Sequence, residues 1–221
     1  VIYNSEHTRQ RAEAYMAQWG PPPIATVAHL GVNIHEADPA ALPAGLLPAD
    51  PYFVTLGTIE PRKGHDLLLD VWEVLARQIK HPPTLLICGT RGWNNRAVFD
   101  RLDRLPSGGP VREMAGLTDG AVAALVSGAQ AMLCPSRAEG FGLPAVEAAA
   151  RGVPVICNDL PVYREVIGNT PIYLAETCRY QWADAIRALT NKTTTTKSDA
   201  SHGVFVAPRW QDHFRVVLES V

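Results

Sequence analysis

Two stretches of this 221-residue chain carry residue types at spacings that chemistry can use. The first is Pro135-Ser-Arg-Ala-Glu139-Gly-Phe-Gly142-Leu-Pro144-Ala-Val-Glu147, where two carboxylates bracket two glycines and a proline. Glycine lets backbone N–H groups approach a ligand closely, and the unpaired N–H groups at a helix start favour negative charge. The turn Gly140-Phe141-Gly142-Leu143 therefore suits a phosphate, with Glu139 and Glu147 as acceptors for sugar or ribose hydroxyls. The second stretch is Gly57-Thr58-Ile-Glu-Pro-Arg62-Lys63-Gly64. Its adjacent cations suit a diphosphate, Arg62 through a planar fork and Lys63 as a compact charge. Spacing alone leaves blander readings open. A helix dipole favours a glutamate in a first turn whatever its use, and a Lys–Arg pair in a surface loop is ordinarily just solvated.

Both stretches need a strand on one side and a helix on the other. Ala131-Met-Leu-Cys134 is an apolar run of strand length ending at Pro135. Pro144 suits a first helical turn, residues 145–150 favour helix, and Gly152 fits the position just past its end, which puts Glu147 in the first turn. Tyr52-Phe-Val-Thr-Leu-Gly57 reads as another strand, and a helical pattern through Leu67, Leu68, Val71, Trp72 and Leu75 follows the Arg62-Lys63 loop. Open α/β sheets bind ligands beyond the carboxyl ends of their strands, where both loops fall. Further strands read at residues 84–89, 111–115, 153–157 and 172–174, with helices at 97–105, 119–127 (capped by Asp119), 162–166 and 179–189. This alternation predicts an α/β fold, a Rossmann-like parallel sheet with helices on both faces.

The flanks are less regular. Residues 1–4 and 24–29 read as short strands around a helix that Ser5 caps, and residues 34–50 as a connecting loop. Residues 190–207 are polar and threonine-rich, which suggests a mobile loop. Trp210, Phe214, Val217 and Leu218 share one face of a final helix, expected to pack on the core. The expected division is a connecting segment over 1–50, a ligand-binding domain over 51–208 and a terminal helix over 209–221.

Composition removes several function classes. Apolar residues make up 47% and charged residues 19%, with a net charge of −2, so neither disorder nor a nucleic-acid surface is suggested. Cys88, Cys134, Cys157 and Cys178 form no C-x-x-C and read as free thiols of a reducing compartment. No run approaches the ~18 apolar residues of a membrane helix, and Val1-Ile-Tyr-Asn-Ser-Glu lacks a signal-peptide pattern, so the expected location is cytoplasmic. No G-x-G-x-x-G follows a strand, and G-x-x-x-x-G-K-[ST], G-x-S-x-G and D-x-D are absent. The seven histidines are scattered without ligand spacing, so neither a metal nor a cofactor is expected.

The pattern E-G-F-G-L-P-x-x-E, with Gly152-Val-Pro154-Val after it, resembles the donor-binding signature of the retaining glycosyltransferases of family 4, which have the GT-B fold. Gly57-Thr58-Ile-Glu-Pro-Arg62-Lys63-Gly64 is similar to that family's donor-phosphate loop, although many members carry an arginine where this chain has Thr58. Gly116-Leu117-Thr118-Asp119 resembles the family's turn near the nucleobase. Residues 1–33 are similar to the run that joins the acceptor domain to the donor domain, and the family's terminal helix can cross back to the acceptor domain, which would leave part of the apolar face of the final helix exposed.

The resemblance implies one half of a GT-B enzyme that transfers a hexose from a nucleotide diphosphate sugar, with retention and without metal, to a glycan or lipid-linked acceptor. Lys63, Arg62 and the amides near Gly142 and Leu143 would stabilise the departing nucleoside diphosphate, Glu139 would orient the sugar, and Glu147 would hold the ribose. Gly57, Thr58, Gly140 and Phe141 would complete the donor site. GDP-mannose is the first expectation for the donor, with UDP-sugars next. The acceptor domain would lie outside this chain, leaving it able to bind donor but to catalyse little, and the full-length protein would be open to peripheral membrane association. Two alternatives belong to other classes: a noncatalytic nucleotide-sugar binding module, and an epimerase or phosphorylase of the same fold. The intact Glu139, Glu147 and Lys63 weigh against the first, and the absence of a cofactor-lysine pattern weighs against a phosphorylase.

Overall fold

The computed structural model describes residues 1–48, 51–191 and 205–220. Six parallel strands form one sheet: β3 (Tyr52–Leu56), β4 (Thr84–Cys88), β5 (Val111–Met114), β6 (Ala131–Cys134), β7 (Val155–Asn158) and β8 (Ile172–Leu174), in the spatial order β5-β4-β3-β6-β7-β8. Ahead of it, β1 (Ile2–Tyr3) and β2 (Thr26–Val27) pair in parallel on either side of α1 (Glu6–Met16). The helices between the sheet strands are α2 (His65–Gln78), α3 (Arg96–Leu102), α4 (Asp119–Gly128), α5 (Leu143–Ala150) and α6 (Pro161–Ile167). After β8 come α7 (Arg179–Thr190) and α8 (Trp210–Glu219).

The central strands are apolar at nearly every position because both faces of the sheet are covered, as βαβ crossovers require. Alternate residues feed two separate cores. Val54, Leu86, Met132 and Cys157 pack with residues of α4, α5 and α6 on one face. Phe53, Leu85, Ile87, Leu133 and Ile156 meet α2, α3 and α7 on the other, where Trp72 and Trp182 are buried. Trp72 satisfies its indole N–H on the Pro83 carbonyl at 2.8 Å.

Several elements differ from the sequence pattern for identifiable reasons. β2 is shorter than residues 24–29 because its partner β1 offers only Ile2 and Tyr3, leaving Ile24 exposed. Thr118 rather than Asp119 caps α4, its hydroxyl accepting from the Ala121 N–H at 3.3 Å. Helix α5 starts at Leu143, so Glu147 is its fifth residue and stands beyond the first turn. No residue of α8 is buried, and Phe214 and Leu218 are 53% and 73% exposed. Both sheet faces are already covered, so α8 attaches to the β2 end instead, with His213 Nδ1 within 3.2 Å of the Ala28 and His29 carbonyls. Cys88, Cys134 and Cys157 are buried free thiols and Cys178 is half-buried. The polar stretch at 190–207 falls mainly on residues 192–204, outside the described residues. No helix among the described residues is long and apolar enough to cross a membrane.

Candidate functional site

The chain enters the sheet at β3, winds outward through β4 and β5, then returns to β6 on the other side of β3. Loops leaving β3 and β6 therefore diverge to opposite faces and leave a crevice at the strand ends, the usual ligand position in such sheets. The loop after β3 carries Arg62 and Lys63, and the loop after β6 carries Glu139 to Gly142. Their approach depends on Gly64, whose φ is +69° and whose missing Cβ would stand 2.2 Å from the Pro135 carbonyl oxygen. Only glycine fits both the left-handed backbone and that contact. The Arg137 N–H, donating to the Arg62 carbonyl at 2.8 Å, then fastens the loops together.

In this crevice the sequence-predicted groups pair with one another. Lys63 Nζ lies 2.6 Å from Glu139 Oε1, and Arg62 Nη1 donates to Glu139 Oε2 at 2.8 Å. Ser136 Oγ is the third donor to this carboxylate, reaching Oε1 at 2.8 Å. The second arm of the Arg62 guanidinium, Nη2, meets Glu60 Oε1 at 2.6 Å. Gly57 sits against the Lys63 stem, 3.3 Å from Cε to an added Cβ. Two carboxylates and two cations thus alternate, and an incoming anion must compete with Glu139 for Arg62 and Lys63.

The glycine turn is rigid from below. Gly142 takes φ +87° and ψ 45° at the N-cap of α5, and a Cβ there would lie 2.4 Å from Tyr163 Cε1. Tyr163 is 1% exposed, and burial pushes its phenol well above the ordinary value, so it stands neutral under the turn. Asn158, buried at the end of β7, donates to the Pro135 and Ser136 carbonyls at 2.7 and 3.0 Å, fixing the start of the loop that ends in Glu139. Phe141 is buried against the His29 ring, so it anchors the turn, and the backbone is what it offers to a ligand.

A cavity of 770 Å³ opens above this turn, and its opposite wall is formed by Asn4 and, on α1, His7, Thr8 and Arg11. Arg62, Lys63, Glu139 and residues 140–144 line the near side. Two latches hold α1 here. Ser5 Oγ and Thr8 Oγ1 donate to the Gly140 carbonyl at 2.8 and 3.2 Å. Glu165 of α6 accepts from the Glu6 and His7 N–H groups at 2.6 and 3.0 Å, with His29 Nε2 at 2.8 Å. Burial raises the Glu165 carboxyl, but those hydrogen bonds outweigh it and hold the group below its ordinary value.

The remaining predicted residues lie elsewhere. Glu147 does not line this cavity; it is half-buried on α5, where burial raises its carboxyl above the ordinary value, Arg151 and His35 oppose that, and Asp119 adds to it. Asp119 follows Leu117 and Thr118 directly, and its charge acts on Glu147, so Glu147 lies near the β5–α4 turn and outside the cavity that Lys63 and Glu139 line. Thr58 turns toward the next loop, its Cγ2 standing 2.5 Å from an added Cβ on Gly92. Sequence reasoning missed Ser136, Asn158, Tyr163, the α1 wall and the use of Glu60. Only Glu60 had a signal, as the buried-looking acid inside a cationic loop. Among the described residues no three His, Cys, Asp or Glu side chains are placed to share a cation.

Solved structures share this architecture. HepE from Anabaena, in complex with UDP and glucose, matches with a TM-score of 0.76 over 100% of this chain and 63% of that one, at 20% identity. WaaG, a glycosyltransferase involved in lipopolysaccharide biosynthesis, gives 0.64 over 86% of this chain and 53% of that one, at 19% identity. The fold is the Rossmann-like α/β fold of GT-B type. The chain belongs to the glycosyl transferases group 1 family, whose pattern matches residues 43–200. Serotype-specific mannosyltransferase WbdA of Escherichia coli is 36% identical over 181 residues, 75% of this chain and 22% of that protein. O-antigen chain mannosyltransferase B of the same species is 33% identical over 118 residues, 53% of this chain and 31% of that protein. The chain thus spans about a fifth of the length of WbdA.

Proposed function

We propose that this chain binds the nucleotide diphosphate sugar of a retaining hexosyltransferase, with mannose as the transferred sugar and a glycan or lipid-linked glycan as acceptor. The observation that carries the reading is the cluster of Arg62, Lys63 and Glu139 at the topological switch, beside the N-terminus of α5. A diphosphate offers more acceptor oxygens and more charge than one carboxylate, so it can draw Arg62 and Lys63 from Glu139. The amides near Gly142 and Leu143 add a helix start that favours anions. Once the cations hold phosphate, Glu139 is released to accept from sugar hydroxyls. The same cations then stabilise the charge that grows on the leaving nucleoside diphosphate. Glu147 would hold the ribose and the backbone of Leu117 and Thr118 the base. GDP-mannose is the preferred donor because relatives of this chain are named mannosyltransferases; a UDP-sugar is the competitor. Neither metal nor cofactor has a role in this scheme, and no step of it needs nucleic acid.

Calorimetric titration with GDP, UDP, GDP-mannose and UDP-glucose, without metal, tests the reading. Saturable binding of one nucleotide class is expected, weakened about tenfold or more in Lys63→Ala, which removes a charge-assisted contact worth roughly 1.5–3 kcal/mol. Glu147→Ala should weaken nucleotide binding whether or not the sugar is present. A folded chain that binds none of the four ligands would refute the proposal.

A further inference from the structure

The geometry points to Glu60 as the positioning residue for Arg62 in ligand binding, an inference that rests on the proposed diphosphate site and adds a member to it. Glu60 is 2% exposed, an unusual burial for a carboxylate, and its only partner among the described residues is the Arg62 guanidinium. Oε1 takes Nη2 at 2.6 Å, while Oε2 is buried without a hydrogen-bond donor. A buried carboxylate with one free oxygen is costly unless its paired cation stays in place. The pairing is asymmetric. Nη2 is held by this buried acid, whereas Nη1 binds Glu139 Oε2 and the Ala138 carbonyl at 2.8 and 3.1 Å, both residues of the cavity wall.

The consequence is a division of labour within one side chain. Nη1 can exchange Glu139 for a phosphate oxygen while Nη2 remains on Glu60, so the guanidinium changes partner without being released into solvent. A planar fork permits this and a lysine amine does not. Thr58, one position after Gly57, is neutral and lies against Gly92, so Arg62 is the arginine this loop brings to the crevice. The reach of that arginine is set by Glu60.

The test is a double-mutant cycle on the whole chain, read by calorimetry with GDP and with UDP. Glu60→Gln keeps the shape and removes the charge, so the affinity for the better nucleotide should fall about fivefold to tenfold. Arg62→Ala should lower it at least as much, and the double variant should bind no more weakly than Arg62→Ala alone. Losses that multiply would overturn the proposal, because Glu60 would then act independently of Arg62. So would tighter binding by Glu60→Gln, which would make Glu60 a mere electrostatic competitor of the ligand. If Glu60→Gln fails to fold, Arg62→Lys decides the matter. It should lose as much affinity as Arg62→Ala, and wild-type affinity would refute the positioning role. A wild-type chain that binds neither nucleotide removes the diphosphate site itself, a failure visible before any variant is compared.

Discussion

Replacing Gly142 by alanine probes the turn on which the candidate site is built. The residue holds φ +87° and ψ 45°, left-handed geometry that costs an L-residue about 1–2 kcal/mol. The new Cβ would also meet Tyr163 Cε1 at 2.4 Å, and the ring is 1% exposed. Overpacking of this kind costs about 1–3 kcal/mol. The two effects arise from backbone and side chain separately, so their sum is about 2–5 kcal/mol. For a chain of this size that lowers Tm by roughly 4–20 °C. Urea unfolding of wild type, Gly142→Ala, Tyr163→Ala and the double variant separates the contributions. In the Tyr163→Ala background only the backbone cost of about 1–2 kcal/mol should remain. Gly142→Ala costing well under 1 kcal/mol in the wild-type background would refute the left-handed assignment, and an equal cost with and without the tyrosine ring would refute the contact. Because Gly142 caps α5, the folded fraction of Gly142→Ala should also bind GDP or UDP more weakly.

Two further outcomes concern residues outside the nucleotide contacts. Glu165 is held below its ordinary value, so its stabilisation is complete above the unfolded carboxylate pKa and is lost as pH falls through the lower folded value. Glu165→Gln should cost about 1–3 kcal/mol at neutral pH and flatten that acid limb in urea titrations. It should also speed amide exchange at Glu6 and His7, and unchanged exchange would show that the latch on α1 lies elsewhere. His65 is 1% exposed, with both ring nitrogens unpartnered among the described residues, and burial, then Lys63, lower its pKa to about 4. The neutral ring is therefore stable above the ordinary 6.5, and stability falls as pH drops toward 4 by about 3 kcal/mol in all. His65→Leu should be at least as stable as wild type at pH 7.5 and about 2–3 kcal/mol more stable at pH 4.5; acid limbs that run parallel would count against a buried neutral imidazole.

Local chemistry wrote most of the secondary structure into the sequence. The apolar runs at Tyr52, Thr84 and Ala131 each begin a strand, and Ser5 caps α1 with its hydroxyl accepting from the Thr8 N–H. These features depend on patterning and capping within a few residues, which a sequence displays directly. The proposed ligand class was read for the same reason, since the glycines, cations and carboxylates stand in two short stretches. Where the pattern misled, a distant partner decided. The β2 strand stops where β1 ends, α8 finds both sheet faces occupied, and the start of α5 moves one residue because Gly142 turns left-handed over Tyr163.

The identity of the partners within the site was decided by tertiary structure alone. Lys63 and Glu139 are 76 positions apart, and nothing in either stretch states that they touch. Their contact follows from the order β4-β3-β6, which brings two loops to one crevice, and from the glycine that lets those loops meet. The same holds for Glu60 behind Arg62, Asn158 beneath the Glu139 loop, and α1 facing the glycine turn across the cavity. The sequence by itself determined which strands and helices form and which charges they carry, because propensity and periodicity act over a few residues. Which charge neutralises which, and what remains free for a ligand, emerged only when parallel crossovers placed distant segments side by side.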